Sequence, residues 1–138
     1  MKDIAALLKD ARWNTRQPAS PAVVDELAHA SKRQLPEAYL ALLLYSDGGE
    51  GELSVEPGWL QLWPAAEVMK YNKIYEVDKA LPHFFGFGSN GGGELLAFDL
   101  RDRGSCRVAM IPFVPMTESE AIVIAENFEA FVRAIGRP

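Results

Sequence analysis

The stretch GFGSNGGGELLAFDLR, residues Gly86 to Arg101, decides between two folds. Its first six residues satisfy GxGxxG, the glycine pattern of dinucleotide-binding loops, in which the glycines run into a helix that meets a pyrophosphate. Here the residues after Gly93 alternate instead, with Leu96, Phe98 and Leu100 in one set and Leu95, Ala97 and Asp99 in the other. A period of two predicts a strand. The unit is therefore a β-hairpin with a glycine turn, which argues against a nucleotide site.

The residues before this hairpin predict helices first. Apolar residues recur at helical spacing between Ile4 and Ala11. Ser20 followed by Pro21 is typical of a helix start, because a hydroxyl can cap free amides and proline suits the first turn. Leu35-Pro36 opens a third, strongly apolar helix that stops at the glycine-containing turn Ser46–Gly51.

Strand patterns then dominate, with one helix among them and one after them. Pro64 begins the inserted helix, and Asn127 is the expected cap of the last one. The other segments with strand patterns are Gly51–Val55, Trp59–Trp63, His83–Phe87, Cys106–Ile111 and Glu120–Ile124. The sequence thus predicts an α+β fold with N-terminal helices, an antiparallel sheet of mixed order carrying an inserted helix, and a C-terminal helix.

Length and composition indicate one domain spanning residues 1–138. No apolar run approaches the roughly 20 residues of a membrane helix, and the N-terminus lacks the pattern of a signal peptide. The single cysteine, Cys106, excludes an internal disulfide, which suits a reducing compartment. We therefore expect a cytoplasmic protein without a membrane partner.

The charge is unevenly distributed along the chain. The net charge is −5, which argues against nucleic-acid binding. Neither Gln34–Met69 nor Val108–Val132 contains a Lys or Arg, yet both contain several acidic residues. If the two segments meet in space, they form a negative face that attracts a cation-rich partner. The alternative is a solvated acidic surface that keeps the protein soluble.

Motifs for catalysis or metal binding are absent from the sequence. The two histidines, His29 and His83, do not have metal-ligand spacing, and Ser89 lacks the GxSxG context of a nucleophile elbow. Glu50 and Glu52 lie on one strand face, where an acidic rim is a commoner explanation than a glycosidase pair. We expect no enzyme activity, no metal and no cofactor.

Trp59 and Trp63 fall on one face of their predicted strand. We interpret them as core residues beneath a helix. If they are exposed instead, they are candidate interface anchors, because large aromatic residues dominate the energetics of many interfaces.

Four of these segments together resemble the SUKH superfamily, which includes a fungal cell-wall-synthesis regulator of the Smi–Knr type. They are Leu35-Pro36-x-x-Tyr39 with SerAspGlyGly at Ser46–Gly49, the strand-to-helix step LeuGlnLeuTrpPro, the glycine hairpin Phe87–Arg101, and the closing helix Ala125–Val132. The resemblance covers about Pro21 to Ile135. One departure is SerAspGlyGly where the family often has NGG, and this keeps the turn chemistry because Asp and Asn both tolerate such turns.

The resemblance implies a mixed α+β fold, no established enzyme activity and a protein partner. We expect a bacterial immunity protein, a monomer or weak homo-oligomer, that neutralises a cation-rich toxin domain such as a nuclease. A housekeeping scaffold of the Smi–Knr type and a small hydrolase using carboxylates or Cys106 remain as alternatives. The candidate partner-binding residues are Asp47, Glu50, Glu52, Glu56, Asn90 and Gly91.

Overall fold

The computed structural model describes residues 4–136, which form six helices and one seven-stranded sheet. The helices are α1 (Ile4–Lys9), α2 (Pro21–Ala30), α3 (Glu37–Tyr45), α4 (Ala65–Ile74), α5 (Val77–Ala80) and α6 (Phe128–Arg133). The strands are β1 (Trp13–Thr15), β2 (Gly49–Glu52), β3 (Trp59–Leu62), β4 (Phe84–Ser89), β5 (Glu94–Asp99), β6 (Arg107–Pro112) and β7 (Ile122–Ala125).

Every strand of the sheet pairs antiparallel with its neighbour in sequence, in the order β1-β2-β3-β4-β5-β6-β7. The predicted α+β class and the antiparallel sheet with an inserted helix are confirmed. The strand order is simpler than the mixed order expected from the sequence. Although α4 and α5 lie between β3 and β4 in the sequence, β4 still pairs with β3.

The core is built around five aromatic rings contributed by α3, the central strands and α6. The ring centroids of Phe87 and Phe98 on neighbouring strands lie 4.5 Å apart. Tyr39 of α3 approaches Phe98 at 5.1 Å and Phe128 of α6 at 5.5 Å, both edge to face. Phe131 contacts Phe87 from the same helix. Such tilted contacts add to the apolar area that the rings bury, so this cluster fixes α3 and α6 on the sheet.

The tyrosine at the centre of this cluster has an unusual hydroxyl. Tyr39 is fully buried, and its hydroxyl has no hydrogen-bond partner among residues 4–136. Burial, assisted by the negative charge of Asp47, raises the pKa of Tyr39 well above its ordinary value of 10.0. The packing of the ring therefore stabilises the core, whereas burial of the unpaired hydroxyl costs free energy.

The side-chain amide of Asn72 forms hydrogen bonds with the part of β4 that β3 does not reach. β3 pairs with β4 only at its far end, through Gln61–Ser89 and Leu62–Gly88. At Gly86, the amide nitrogen donates to Oδ1 of Asn72 at 2.9 Å, and the carbonyl accepts from Nδ2 of Asn72 at 2.8 Å. Asn72 is buried on α4, so it anchors this helix to the sheet and satisfies two buried backbone groups.

The buried carboxylate of Asp99 holds the β5–β6 end of the sheet together. Its carboxylate accepts two hydrogen bonds from the Arg101 guanidinium, at 2.9 and 2.8 Å, and one from Arg107 at 3.0 Å. Burial alone would raise the pKa of Asp99, but the bonds and positive charges of the two arginines lower it below its ordinary value of 3.8. The site is a structural ion cluster, because both guanidiniums are committed to it.

Helix caps were the most accurate sequence predictions. Ser20 accepts a hydrogen bond from Val23 N at 3.2 Å, and Asn127 accepts one from Ala130 N at 2.8 Å, as expected. Two elements were missed. β1 lies where we expected the end of a helix and a loop, and α5 follows α4 after a left-handed turn at Glu76 (φ 55°).

Candidate partner-binding face

Strands β1–β3 present one face to solvent, and two of the six predicted site residues, Glu50 and Glu52, lie there. Cross-strand pairing places Asn14 opposite Glu50, and Glu50 opposite Gln61. Glu52 lies opposite Trp59 two positions away. The alternate residues of β3, Leu60 and Leu62, point into the core. We call the outward-facing set the open face, which consists of Asn14, Glu50, Glu52, Trp59 and Gln61 with Arg12 and Arg16 at the ends of β1.

The acidic residues of the open face are paired with arginines. Glu50 lies 3.6 Å from Arg16 and also accepts a hydrogen bond from Trp59 Nε1 at 3.1 Å. Glu52 lies 4.0 Å from Arg12. These exposed pairs contribute little stability, but they offset the negative charge that the sequence predicts for this segment. Both arginines precede Gln34–Met69, the segment that contains no Lys or Arg.

Asp47 has a structural role that the sequence did not reveal. Its Oδ1 accepts a hydrogen bond from Ala65 N at 2.7 Å, at the start of α4. The residue at the N-cap position, Pro64, has no side chain that can cap, so the acid from the preceding turn supplies the cap. A carboxylate at a helix N-terminus is also favoured by the helix dipole.

Two further predicted positions, Asn90 and Gly91, lie at the tip of the β4–β5 hairpin. Asn90 Oδ1 accepts hydrogen bonds from Gly92 N at 2.9 Å and Glu94 N at 3.0 Å. Gly91 adopts φ +77°, and a Cβ there would lie 3.0 Å from the Gln61 side chain. The amide of Asn90 thus holds the turn closed, and the tip rests on the open face.

Glu56 lies across a shallow groove from this hairpin. The groove has a volume of about 400 Å³, and its lining includes Glu56, Gly58, Asn90 and Glu94. Within residues 4–136 the Glu56 side chain makes no ion pair or hydrogen bond. The structure therefore brings Glu56 and Asn90 to one surface beside the open face.

The two acidic segments do not join into the single negative face considered from the sequence. β2 and β7 are separated by four strands, β3 to β6. At about 4.8 Å per strand, five steps correspond to roughly 24 Å. Acids of the second segment also have partners of their own, because Glu118 approaches Arg101 at 3.8 Å and Glu129 approaches Arg133 at 3.1 Å.

A row of aromatic rings borders the open face, and sequence reasoning did not find it. Centroid distances along the row are 4.9 Å from Trp63 to Tyr71, 6.2 Å from Tyr71 to Tyr75, and 4.6 Å from Tyr75 to Phe113. The Tyr71 hydroxyl donates to Glu67 at 3.0 Å. The i, i+4 spacing of Tyr71 and Tyr75 in a predicted helix was the available signal, but Phe113 comes from a distant segment.

Trp59 of β3 and Trp63, the residue that follows this strand, have different environments. Trp63 is 7 % exposed and lies under α4, as expected of a core residue. Trp59 is 39 % exposed on the open face, so the prediction that it fills the core was wrong. The reason is that no helix within residues 4–136 covers β1–β3 at this position, and the Trp59 indole donates a hydrogen bond to Glu50 instead.

A cleft lies between the open face and the aromatic row. Its volume is about 550 Å³, and its lining includes Arg16, Glu50, Gln61, Trp63 and Tyr71, with Asp47 at its edge. Gly91 contacts Gln61 beside it, and Gly93 O accepts a hydrogen bond from Phe113 N at 2.8 Å. The hairpin tip therefore links both sides of the cleft.

Cys106, the only cysteine in the sequence, lies away from this cleft. It is half-buried just before β6. Burial, together with the nearby Asp99 carboxylate, raises the pKa of Cys106 to about 11. Among residues 4–136 there is no cluster of three His, Cys, Asp or Glu side chains that could hold a metal, and no helix is long and apolar enough to cross a membrane.

Comparison with protein families identifies a matching family. The model of a family described as SMI1 / KNR4 family (SUKH-1) matches residues 18–134. This range contains β2 to β7, the hairpin and the lining of the cleft except Arg16 and Gln17. None of the curated proteins matches the chain.

Proposed function

We propose, from the premise that the chain belongs to the SMI1/KNR4 family (SUKH-1), that it is an immunity protein that neutralises a toxin domain. The family supports a protein-binding or immunity-type module in general. Our proposal adds the surface and the chemistry of the partner. The partner inserts side chains into the cleft between the open face and the aromatic row, and it contacts the hairpin tip.

The aromatic row is the observation that carries this proposal. Tyr75 is 40 % exposed and stacks against Phe113, while Trp63 and Tyr71 continue the row into the cleft. Tyr and Trp are enriched among residues that dominate binding energy, and such residues act best where neighbours exclude water. A half-buried row beside a cleft of about 550 Å³ has this arrangement.

The charge around the cleft favours a cation-rich partner. Asp47, Glu50 and Glu67 lie in or beside it, and Arg16 is the basic residue in its lining. Part of this negative charge is offset by the Glu50–Arg16 pair. A basic partner therefore gains a modest electrostatic attraction, which affects the association rate more than the final affinity. Aromatic contacts then account for slow dissociation.

We also propose that the protein acts without catalysis. The thiol of Cys106 is protonated at neutral pH because its pKa is about 11. Glu50 accepts a hydrogen bond from the Trp59 indole and lies 3.6 Å from Arg16, and Glu52 lies 4.0 Å from Arg12, so neither carboxylate is paired with a second acid. A general base needs a free lone pair within reach of its substrate.

The first experiment is to capture the partner and then to measure binding kinetics with variants. The purified chain is used as bait in host extract at moderate salt, together with any toxin domain encoded next to its gene. With the captured partner, Tyr75→Ala should weaken binding by about 30-fold, corresponding to about 2 kcal/mol. Ile74→Ala, which changes an exposed residue outside the aromatic row, is the matched control.

The electrostatic part has a separate test. Glu50→Gln with Glu52→Gln should slow association and reduce its dependence on salt. Arg12→Gln with Arg16→Gln should accelerate it for a basic partner. Glu120→Gln with Glu126→Gln changes the net charge equally on the far side of the sheet and should have little effect.

Equal association rates for all three double variants would refute the electrostatic part. A partner from the cell envelope or from signalling, with no adjacent toxin gene, would instead support the housekeeping alternative. Unchanged affinity of the Tyr75→Ala variant would refute the proposed binding surface.

A further inference from the structure

A second groove lies on the other side of α4 from the cleft, and the proposed function does not use it. Its volume is about 460 Å³. Met69, Lys70 and Lys73 of α4 line this groove, whereas Tyr71 lines the cleft. The helical repeat explains the separation, because positions 69, 70 and 73 share one side of the helix. We call this the basic groove.

The lower part of the basic groove is apolar. Phe84 and Phe85 of β4 are among its lining residues although only 1 % and 5 % of them is exposed, and Met69 forms part of the wall. Met69 is among the large apolar side chains that remain exposed to solvent, although neighbouring Val68 is fully buried. The volume lies within the range of about 300–1,000 Å³ that is typical of ligand pockets, and an apolar floor with few polar groups is their usual composition.

The rim of the groove carries cations without carboxylate partners. Lys70 and Lys73 stand on the α4 side, and Arg33 stands on the opposite side, after α2. Arg33 is held in place by a hydrogen bond of 2.8 Å from its guanidinium to Pro82 O. None of the three forms an ion pair of 4.0 Å or less within residues 4–136. This is a local positive excess in a chain whose net charge is −5.

One carboxylate, Asp78, also lines the groove. It lies in the first turn of α5, and its charge is opposite to that of the three cations. The lining therefore has three positive groups and one negative group. Because Asp78 does not pair closely with any of them within the described part of the chain, it reduces the attraction for an anion without cancelling it.

We propose that the basic groove binds an acidic segment of a partner protein that carries an apolar side chain between its carboxylates. The apolar side chain packs on Met69, beside the small exposed parts of Phe84 and Phe85, and the flanking carboxylates pair with Lys70 and Lys73 on one side and Arg33 on the other. Charge complementarity identifies this occupant. Cations on both walls suit an extended chain with acids on each side of its anchor better than a single compact anion.

The test uses a defined probe, the capped peptide Glu-Asp-Leu-Phe-Asp-Glu, in an NMR titration of the whole chain. We expect saturable shifts of the amides of Met69, Lys70, Lys73, Phe84 and Phe85. A peptide with Gln and Asn in place of the acids, and one with Ser in place of Leu and Phe, should each bind at least tenfold more weakly. Absence of saturable shifts in the groove, or equal binding of the three peptides, would overturn the proposal.

Variants of the rim test the same proposal in both directions. Lys70→Glu with Lys73→Glu should weaken binding of the acidic peptide by about tenfold or more. Asp78→Asn should tighten it by about twofold to threefold, a gain that misfolding cannot produce. Lys79→Glu is the control, because Lys79 is exposed on α5 and does not line the groove.

Two results would contradict the assignment of the groove. One is weakening by Lys79→Glu as large as that by the rim reversal, which would mean that only net charge matters. The other is unchanged affinity of the Asp78→Asn variant together with unchanged affinity of the rim reversal. An unaltered amide spectrum away from the groove establishes that each variant is folded. Neither result depends on the toxin partner, so this test is independent of the proposed function.

Discussion

Replacing Asn72 by Leu should destabilise the protein by about 3 kcal/mol. Leu has a similarly branched but larger side chain that cannot donate or accept, so the Gly86 amide and carbonyl would both lose their partner. A buried backbone group without a partner costs about 1–3 kcal/mol. The third bond, from Asn72 Nδ2 to Val68 O at 2.8 Å, adds less because the carbonyl lies within a helix. Two unsatisfied groups therefore correspond to about 3 kcal/mol.

The loss can be measured by thermal and denaturant unfolding. Unfolding entropy of about 2.1 cal/mol/K per residue, over 138 residues, is about 0.29 kcal/mol/K. A loss of 3 kcal/mol therefore lowers Tm by about 10 °C. Lys73→Ala, an exposed change one residue away, is the control and should remain within about 0.5 kcal/mol of the parent.

A charged variant at the same position provides a sharper test. Asn72→Asp keeps an acceptor for the Gly86 amide but places a carboxylate against the Gly86 carbonyl. When protonated, the same group can donate to that carbonyl. The difference in stability between Asn72→Asp and the parent should therefore shrink as the pH falls below the pKa of the introduced acid. A loss below about 1 kcal/mol for Asn72→Leu, or a pH-independent difference for Asn72→Asp, would refute this reasoning.

Four further predictions concern the core, the ion cluster, the thiol and the glycines. Tyr39→Phe should leave Tm unchanged or raise the free energy of unfolding by about 1 kcal/mol, because it removes a buried hydroxyl without a partner; a clear loss would mean that the hydroxyl is satisfied. Asp99→Asn should cost about 3 kcal/mol at pH 7. Because the pKa of Asp99 is lowered in the folded state, the stability that its charge contributes is fully present above its ordinary pKa of 3.8. That stability is lost as the pH falls through the folded-state pKa. The difference in free energy of unfolding between the parent and Asp99→Asn should therefore close in acid unfolding curves. Alkylation of Cys106, followed by mass spectrometry, should accelerate up to a midpoint near pH 11, and a midpoint near pH 8 would contradict the buried environment. Gly88→Ala should cost more than 2 kcal/mol in denaturant unfolding, because its Cβ would lie 2.5 Å from a backbone oxygen of β3, whereas Gly93→Ala meets nothing within 4 Å and should be nearly neutral; equal costs would be inconsistent with this register.

The sequence predicted those elements whose signals are local. Ser20-Pro21 and Asn127 mark helix starts because capping depends on residues within one turn. The glycine hairpin was recognised because alternation follows directly after Gly93. β1 could not be recognised in this way, since its three residues are extended only by pairing with β2, far along the chain.

The candidate site was less predictable because long-range contacts determine it. Glu50 and Glu52 appear free in the sequence, and only the pairing of β1 with β2 brings Arg16 and Arg12 to them. Asp47 looks like part of a turn, yet it caps a helix that starts 18 residues later. The aromatic row likewise depends on Phe113, which the sheet brings beside α4. Each of these contacts joins segments that no local pattern connects.

The ring cluster of the core has a consequence for synthesis of the protein. Tyr39 appears early in the nascent chain, whereas Phe128 and Phe131 belong to the last helix. Leu53 also forms a bridge with Ile135, near the end of the chain. Domains generally fold as units, beginning from the N-terminus as it emerges from the ribosome. Phe87 and Phe98 therefore lack the rings of α6 until Phe128 and Phe131 have been synthesised, so chaperone protection matters most during that interval.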